Sequence, residues 1–237
     1  MMRRRWIADL WDQTTATLTG AQALHLARVL RAQPGMRFDV VAGEQVWHAE
    51  VSRVNEDAVQ FTLLSELDRE SALPLTLLLA VFKFDRLEWA IEKATELGVA
   101  RIVPALARRT EKHLAQAAPG RVERWRRIAQ EAAKQSRRSD LPSIDDPLGL
   151  RQAVALMPGA QRLLLAEQEK QLTLLAALAS AADQQIVIAV GPEGGWAEDE
   201  LLLFAAESWT SVSLGPRILR AETAAISAAA IVASLVG

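Results

Sequence analysis

The spacing of apolar positions changes near residue 72, and the two spacings predict two architectures. Before that point residues 37–41, 46–54 and 58–64 are short β-rich runs, broken by the turn-forming segments Gly43-Glu44 and Asn55-Glu56-Asp57. Ahead of them Leu24, Ala27 and Leu30 recur at helical spacing. A short helix is therefore expected from a Thr19 cap to Arg31, with Pro34-Gly35 turning the chain afterwards. Residues 1–72 read as a small antiparallel barrel, and the polar stretch Glu66–Ser71 followed by Pro74 reads as the linker.

From Leu75 onward strand-like and helix-like runs alternate, the pattern of a parallel sheet with crossover helices over residues 73–237. Strands are expected at 75–82, 101–105, 162–166, 186–190 and 211–214. Helices are expected at 85–98, 121–138, 172–182, from about 198, and at 224–236. Asp85 with Glu88 has capping-box spacing, and Gly98 suits a left-handed stop. Ile186-Val187-Ile188-Ala189-Val190 shows no polar alternation, which predicts a strand covered on both faces.

Composition narrows the chemistry. The chain has no cysteine, which excludes disulfides, thiolate nucleophiles and thiolate-held zinc, and His25, His48 and His113 lack metal-ligand spacing, so no metal is expected. No uncharged apolar run approaches the ~20 residues of a membrane span, and the Arg-rich start lacks a signal core, so a soluble, cytoplasmic protein without a membrane partner is expected. The net charge of −2 is unevenly spread. Residues 1–72 carry 8 basic and 10 acidic groups, residues 73–142 carry 14 and 8, and residues 143–237 carry 5 and 11, so the middle segment is where a polyanion would be drawn.

Two glycine-bearing runs each follow an apolar strand and precede a helix: Gly191-Pro192-Glu193-Gly194-Gly195-Trp196, and Leu214-Gly215-Pro216-Arg217-Ile218-Leu219-Arg220-Ala221-Glu222-Thr223. Open α/β sheets bind ligands at such strand ends, so the two loops are expected to sit on adjacent strands and share one crevice. Gly194 and Gly195 can turn successive N–H groups toward one acceptor. Neither dinucleotide nor P-loop spacing is present, and Glu198, Asp199 and Glu200 would repel a phosphate, so a cofactor with little negative charge fits better.

These motifs resemble the ribosomal RNA small-subunit methyltransferase E (RsmE) family of the SPOUT superfamily of knotted methyltransferases. The resemblance extends to residues 25–31 (HLARVLR), 92–99 (EKATELGV) with Ile102-Val103-Pro104, and the basic segment from Arg124-Trp125 through Glu131–Arg138. It implies transfer of a methyl group from S-adenosylmethionine to N3 of one uridine in 16S rRNA of the small subunit. It also implies an α/β fold: a PUA-like β-barrel at residues 1–72, and a SPOUT domain with a trefoil knot at 73–237, acting as a homodimer. Ala224–Val236 holds no charged residue, which suits burial in a core, a knot or a subunit interface.

Uracil N3 is a weak acid between two carbonyls, so methylation needs a base for the N3 proton and a cation for the oxygens. Arg220 is assigned to the oxygens, Glu222 is the leading base and Glu193 the second. Leu165, Ala166, Gly191, Glu193, Gly194, Leu214, Gly215, Ile218 and Leu219 are carried over as cofactor contacts. The basic residues Arg3, Arg4, Arg5, Arg28, Arg31, Lys83, Arg86, Arg108, Arg109, Arg124, Arg127, Lys134, Arg137 and Arg138 are the candidate RNA contacts. The chain departs from the family pattern at Ser136-Arg137, where a cysteine and glycine are expected, and at Trp196-Ala197. Methylation of a ribose 2′-hydroxyl and a non-catalytic RNA-binding assembly role are the competing readings.

Overall fold

The structure is a computed structural model that describes residues 5–43, 45–55, 57–67, 72–136, 138, 140–179 and 184–236. The chain divides into two compact units. One comprises Met1–Ser71 with Ala133–Asp140, the other Ala72–Ala132 with Leu141–Gly237.

The first unit is built on a six-stranded sheet. Its elements are β1 (Arg5–Ile7), β2 (Leu10–Trp11), β3 (Thr15–Thr19), α1 (Gly20–Leu24), one π-helical turn (His25–Val29), β4 (Arg37–Ala42), β5 (Gln45–Val54) and β6 (Ala58–Leu67). In the order β1-β4-β5-β6-β3-β2 every pairing is antiparallel except β1 with β4. Alternation places Ala16, Leu18, Val59 and Phe61 in its core with Trp6, Leu26 and Val40.

The first three strands were not foreseen, and they change the role of Thr19. This residue ends β3, and its hydroxyl and N–H donate to Asp9 Oδ2 at 3.0 and 2.7 Å instead of capping α1. The turn between β2 and β3 is tied by Asp12, whose Oδ1 accepts the N–H groups of Thr14 and Thr15, both at 2.7 Å. Those bonds, the Thr14 N–H first, favour the carboxylate and lower the Asp12 pKa from 3.8 to about 2. The turn is therefore stabilised fully above pH 3.8, and the contribution disappears as pH falls through about 2. Carboxyl NMR should place the Asp12 midpoint near 2; a midpoint at 3.8 would mean that these bonds do not persist in solution.

The second unit is an all-parallel sheet of seven strands. It runs β7 (Leu73–Ala80), α2 (Phe84–Glu96), β8 (Val99–Leu106), α3 (Lys112–Ala117), a 3₁₀ turn (Ala118–Arg121), α4 (Val122–Ser136), β9 (Ser143–Ile144) and β10 (Leu148–Gly149). There follow α5 (Leu150–Val154), β11 (Gln161–Leu165), α6 (Leu174–Leu178), β12 (Ile186–Val190), α7 (Glu198–Ala206), β13 (Thr210–Val212) and α8 (Ala221–Val236). The strand order is β10-β8-β7-β12-β11-β13, with β9 also on β8.

Successive residues of β12 enter opposite cores. Ile186, Ile188 and Val190 join Leu75, Leu77 and Leu79 on one face, while Val187 and Ala189 join Leu78 and Ala80 on the other. This division is the physical meaning of an apolar strand without polar alternation. On the first face α8 presents Ala225, Ala228, Ala229 and Val232, each fully buried, a stripe of small residues at helical spacing.

Helix α2 starts one residue before the expected Asp85. Lys83 holds the cap position, and Asp85 sits in the first turn, where its charge complements the helix dipole. Glu88 is free for another partner: it accepts from Arg124 Nε and Nη2 at 2.7 and 2.8 Å. Gly98 ends α2 at φ +94°, as its sequence position foretold. Among the described residues no helix is long and apolar enough to cross a membrane.

Candidate active site

The carboxyl ends of β11, β12 and β13 open into one cavity of about 350 Å³. The glycine loops follow β12 and β13, which are not neighbours as expected. Strand β11 lies between them, so residues 165–170 form a third wall segment. The chain passes from β12 back across β11, so β13 pairs with the far side of β11.

The loop after β12 is shaped by its glycines and by one tryptophan. Gly195 adopts φ +69° and donates its N–H to Pro192 O at 2.8 Å, so this amide closes a turn and does not face a ligand as expected. A Cβ on Gly191 would lie 3.2 Å from the Trp196 ring. Trp196 is buried beneath the loop and donates Nε1–H to Leu165 O at 3.3 Å. Its ring meets Phe204 edge-on at 4.8 Å, and Phe204 meets Trp209 edge-on at 5.1 Å. Trp196 thus supports the loop from the core side.

The segment after β8 straps the same loop. Arg109 donates from Nη1 to Gly194 O at 2.6 Å, and its methylenes occupy the space beside Gly194. Arg108 pairs with Asp199 at 2.6 Å, which lowers the Asp199 pKa and raises that of Arg108. Buried Glu200 accepts the N–H of Ala197 through Oε2 and that of Arg108 through Oε1, capping α7 and tying it to the β8 end. The acidic start of α7 therefore serves the loop's attachment as well as the helix dipole.

All nine expected cofactor residues reach the wall: Leu165, Ala166, Gly191, Glu193, Gly194, Leu214, Gly215, Ile218 and Leu219. Arg220 lies there too, exposed and without an ion pair among the described residues. Glu222 does not. It sits in the first turn of α8 with its side chain 5% exposed, Oε1 3.8 Å from Arg86 Nε and Oε2 buried without a hydrogen-bond partner. Glu193 is in the wall, 32% exposed, with Oε1 3.7 Å from Arg86 Nη1.

Several residues read as RNA contacts have other partners. Arg86 and Arg109 belong to the cavity wall, and Arg138 has a side chain only 8% exposed, bound to Asp140. Burial in that pair takes Arg138 away from any RNA backbone. Arg124 is held by Glu88, and Arg108 by Asp199, although both remain exposed. Arg28, Arg31, Lys83, Arg127 and Lys134 are exposed, and Arg5 is half-buried on β1. Arg3, Arg4 and Arg137 lie outside the described residues. The sequence reading missed Glu167, Gln168, Lys170 and Arg217 as wall residues. The first three follow β11 directly, and the rule that ligands gather at strand ends would have found them. The wall holds five cations (Arg86, Arg109, Lys170, Arg217, Arg220) and two acids (Glu167, Glu193), a balance suited to an anionic substrate. Among the described residues no group of three or more His, Asp or Glu side chains is arranged to hold a metal ion.

Comparisons with known proteins agree with this anatomy. Residues 69–233 match the RNA methyltransferase domain family and residues 18–64 the RNA methyltransferase PUA domain family. Ribosomal RNA small subunit methyltransferase E of Synechocystis sp. is 39% identical over 216 residues, 90% of this chain and 70% of that protein. The protein of the same name from Bacillus subtilis is 30% identical over 228 residues, covering 92% and 89%. The crystal structure of the Neisseria gonorrhoeae methyltransferase E bound to S-adenosylmethionine superposes with a TM-score of 0.76 at 29% identity, over 99% of this chain and 98% of that one. A Legionella pneumophila methyltransferase in complex with the same cofactor gives 0.75 at 28% identity, with the same coverage. A parallel α/β domain with its cavity at the strand ends, preceded by a PUA-like unit, and near full-length similarity to these proteins place this chain in the ribosomal RNA small subunit methyltransferase E family, within the SPOUT fold.

Proposed function

We propose that this protein methylates N3 of one uridine in the 16S rRNA of the small ribosomal subunit, using S-adenosylmethionine. The observation that carries this reading is the cavity. It joins an apolar, glycine-lined cradle to an unpaired guanidinium and an accessible carboxylate. At about 350 Å³ it has the size of a small-molecule site, ~300–1,000 Å³. Leu165, Leu214, Ile218 and Leu219 would hold the adenine, and the backbone of Ala166, Gly191, Gly194 and Gly215 would hold the remainder. Ile218, 77% exposed, gains cover from a ring laid against it.

The cofactor, when bound, supplies a methyl group whose C–S bond breaks as the N3–C bond forms, the electron pair staying on sulfur. The protein's own part is to orient the uracil, bind its oxygens and take its proton. Arg220 faces the charge that spreads over O2 and O4. Glu193 is the base. Sequence reasoning ranked Glu222 first, but a proton acceptor must come within ~3 Å of the N–H, and of these two candidates Glu193 lines the cavity and Glu222 does not.

RNA is drawn by the exposed basic residues Arg28, Arg31, Lys83, Arg127 and Lys134, together with the cationic wall. We assign RNA capture to the domain at 1–72 and catalysis to that at 73–237, with the C-terminal segment knotted, two copies per active particle, and action in the cytoplasm. The uncharged outer positions of α8, including Ala230, Ser234 and half-exposed Leu235, support pairing with a second copy.

The test is incubation with labelled cofactor and small subunits from a strain lacking the activity, followed by nucleoside mass spectrometry. The expected product is 3-methyluridine. A ribose-methylated nucleoside would establish the 2′-hydroxyl chemistry instead, and absence of transfer would leave only an assembly role.

A further inference from the structure

Arg86 lies far from the role its sequence position suggested. Helix α2 carries it into the cavity wall with its side chain 30% exposed, where one guanidinium meets two carboxylates from different segments. Nη1 is 3.7 Å from Glu193 Oε1 on the loop after β12, and Nε is 3.8 Å from Glu222 Oε1 in the first turn of α8. We propose that Glu222, Arg86 and Glu193 form a charge chain in which buried Glu222 anchors Arg86, and Arg86 aims Glu193 at the acidic proton of the substrate base. The proposal rests on Glu193 being the base.

The burial gradient gives the chain a direction. Glu222 is 5% exposed, while Arg86 and Glu193, at 30% and 32%, both line the cavity, so the inner end is buried and the outer end is open to a substrate. A buried carboxylate with one oxygen unpartnered is tolerated only beside a compensating charge. Arg86 supplies it, helped by the N-terminus of α8. The contact to Glu193 is too long for a hydrogen bond, so Glu193 is oriented while its lone pairs stay available for a proton.

Charge also balances along the step. The N3 proton moves to Glu193, which becomes neutral, and Arg86 with Glu222 remains an ion pair of no net charge. The negative charge now on the uracil faces Arg220 until N3 takes the methyl group. Glu193 then returns its proton to water. Arg86 is thus a positioning residue, acting through Glu193 and not on the RNA backbone.

The test compares Arg86→Met, Arg86→Lys, Glu222→Gln, Glu193→Gln and the Arg86→Met/Glu222→Gln double variant. Turnover, KM for RNA and its salt dependence, cofactor Kd and melting temperature are followed. Arg86→Met should lower kcat ~30-fold with KM for RNA and cofactor Kd within about twofold, and Arg86→Lys should recover most of the loss. The double variant also removes the stranded carboxylate, so it keeps the comparison readable if Arg86→Met alone melts too low to assay, and it should be no slower than Glu222→Gln. Losses that multiply in the double variant overturn the proposal. So does an Arg86→Met enzyme with unchanged kcat, a raised KM and a shallower salt slope, which would return Arg86 to RNA. Glu193→Gln should cost ~100-fold or more. If Glu193→Gln turns over normally, the base assignment fails and the charge chain with it; if only Arg86→Met does, the base assignment stands and the chain falls.

Discussion

An Arg220→Ala enzyme is expected to lose about 1,000-fold in kcat while binding S-adenosylmethionine almost as well as the unaltered protein. Arg220 projects from the wall with its guanidinium unpaired among the described residues, whereas Arg86, Arg108, Arg109 and Arg124 are each engaged by an acid or a carbonyl. An unpaired cation beside a cradle contributes little to folding. Its value comes when charge develops on the uracil oxygens, and removing one such donor costs about 2.7–4 kcal/mol of transition-state stabilisation. The melting temperature should stay within about 1 °C, since a surface substitution of this kind shifts stability by only ~0.5 kcal/mol. Single-turnover kinetics with separate measurement of cofactor Kd check the assignment. Equal losses in transfer and cofactor affinity would move Arg220 from the substrate to the cofactor.

Phe204→Ala should destabilise the catalytic unit by about 3–5 kcal/mol, the usual cost of emptying a buried aromatic site. Phe204 is fully buried on α7 between Trp196 and Trp209, edge-on to both, and Trp209 is further fixed by donating Nε1–H to Val154 O at 3.0 Å. Deletion of the middle ring leaves a void between two large indoles. At roughly 2–4 °C per kcal/mol for a unit of this size, the melting temperature should fall by about 10 °C. Cofactor affinity should fall with it, because Trp196 is the support beneath Gly191 and holds Leu165 O. Calorimetry with cofactor titration reads both. A fall below about 3 °C would show that the three rings do not pack as a unit, and Phe204→Leu should retain most of the stability.

The catalytic sheet was legible because burial on two faces writes itself plainly into sequence, as in Ile186–Val190, and because Gly98 can only end a helix where it stands. Strands β1 to β3 were harder. Thr15–Thr19 alternates correctly, with Ala16 and Leu18 inward, but it is only five residues long and ends at Thr19, the residue read as the cap of the helix that follows. All nine residues expected at the cofactor line the cavity, since glycine loops after apolar strands are a local signal, whereas Glu167, Gln168 and Lys170 follow β11, whose end carries no glycine. The charges were not legible. Whether Arg86 meets RNA or two carboxylates depends on Glu193 and Glu222, more than 100 residues away, and no spacing rule links them. For the same reason no spacing rule tells buried Glu222 from cavity-lining Glu193, a difference decided only when α8 docks.

The insertion of β11 between β12 and β13 has a consequence for synthesis of the protein. Besides Arg86 and Arg109, the binding wall is drawn from residues within 165–170, 190–196, 212–221 and Ala224, so its last component follows the final strand. A nascent polypeptide interrupted before that strand has the first two segments but cannot enclose a ligand. Enclosure of a ligand therefore needs β13 and the residues after it, because a polypeptide that stops before them lacks Arg217, Ile218, Leu219 and Arg220 from the wall.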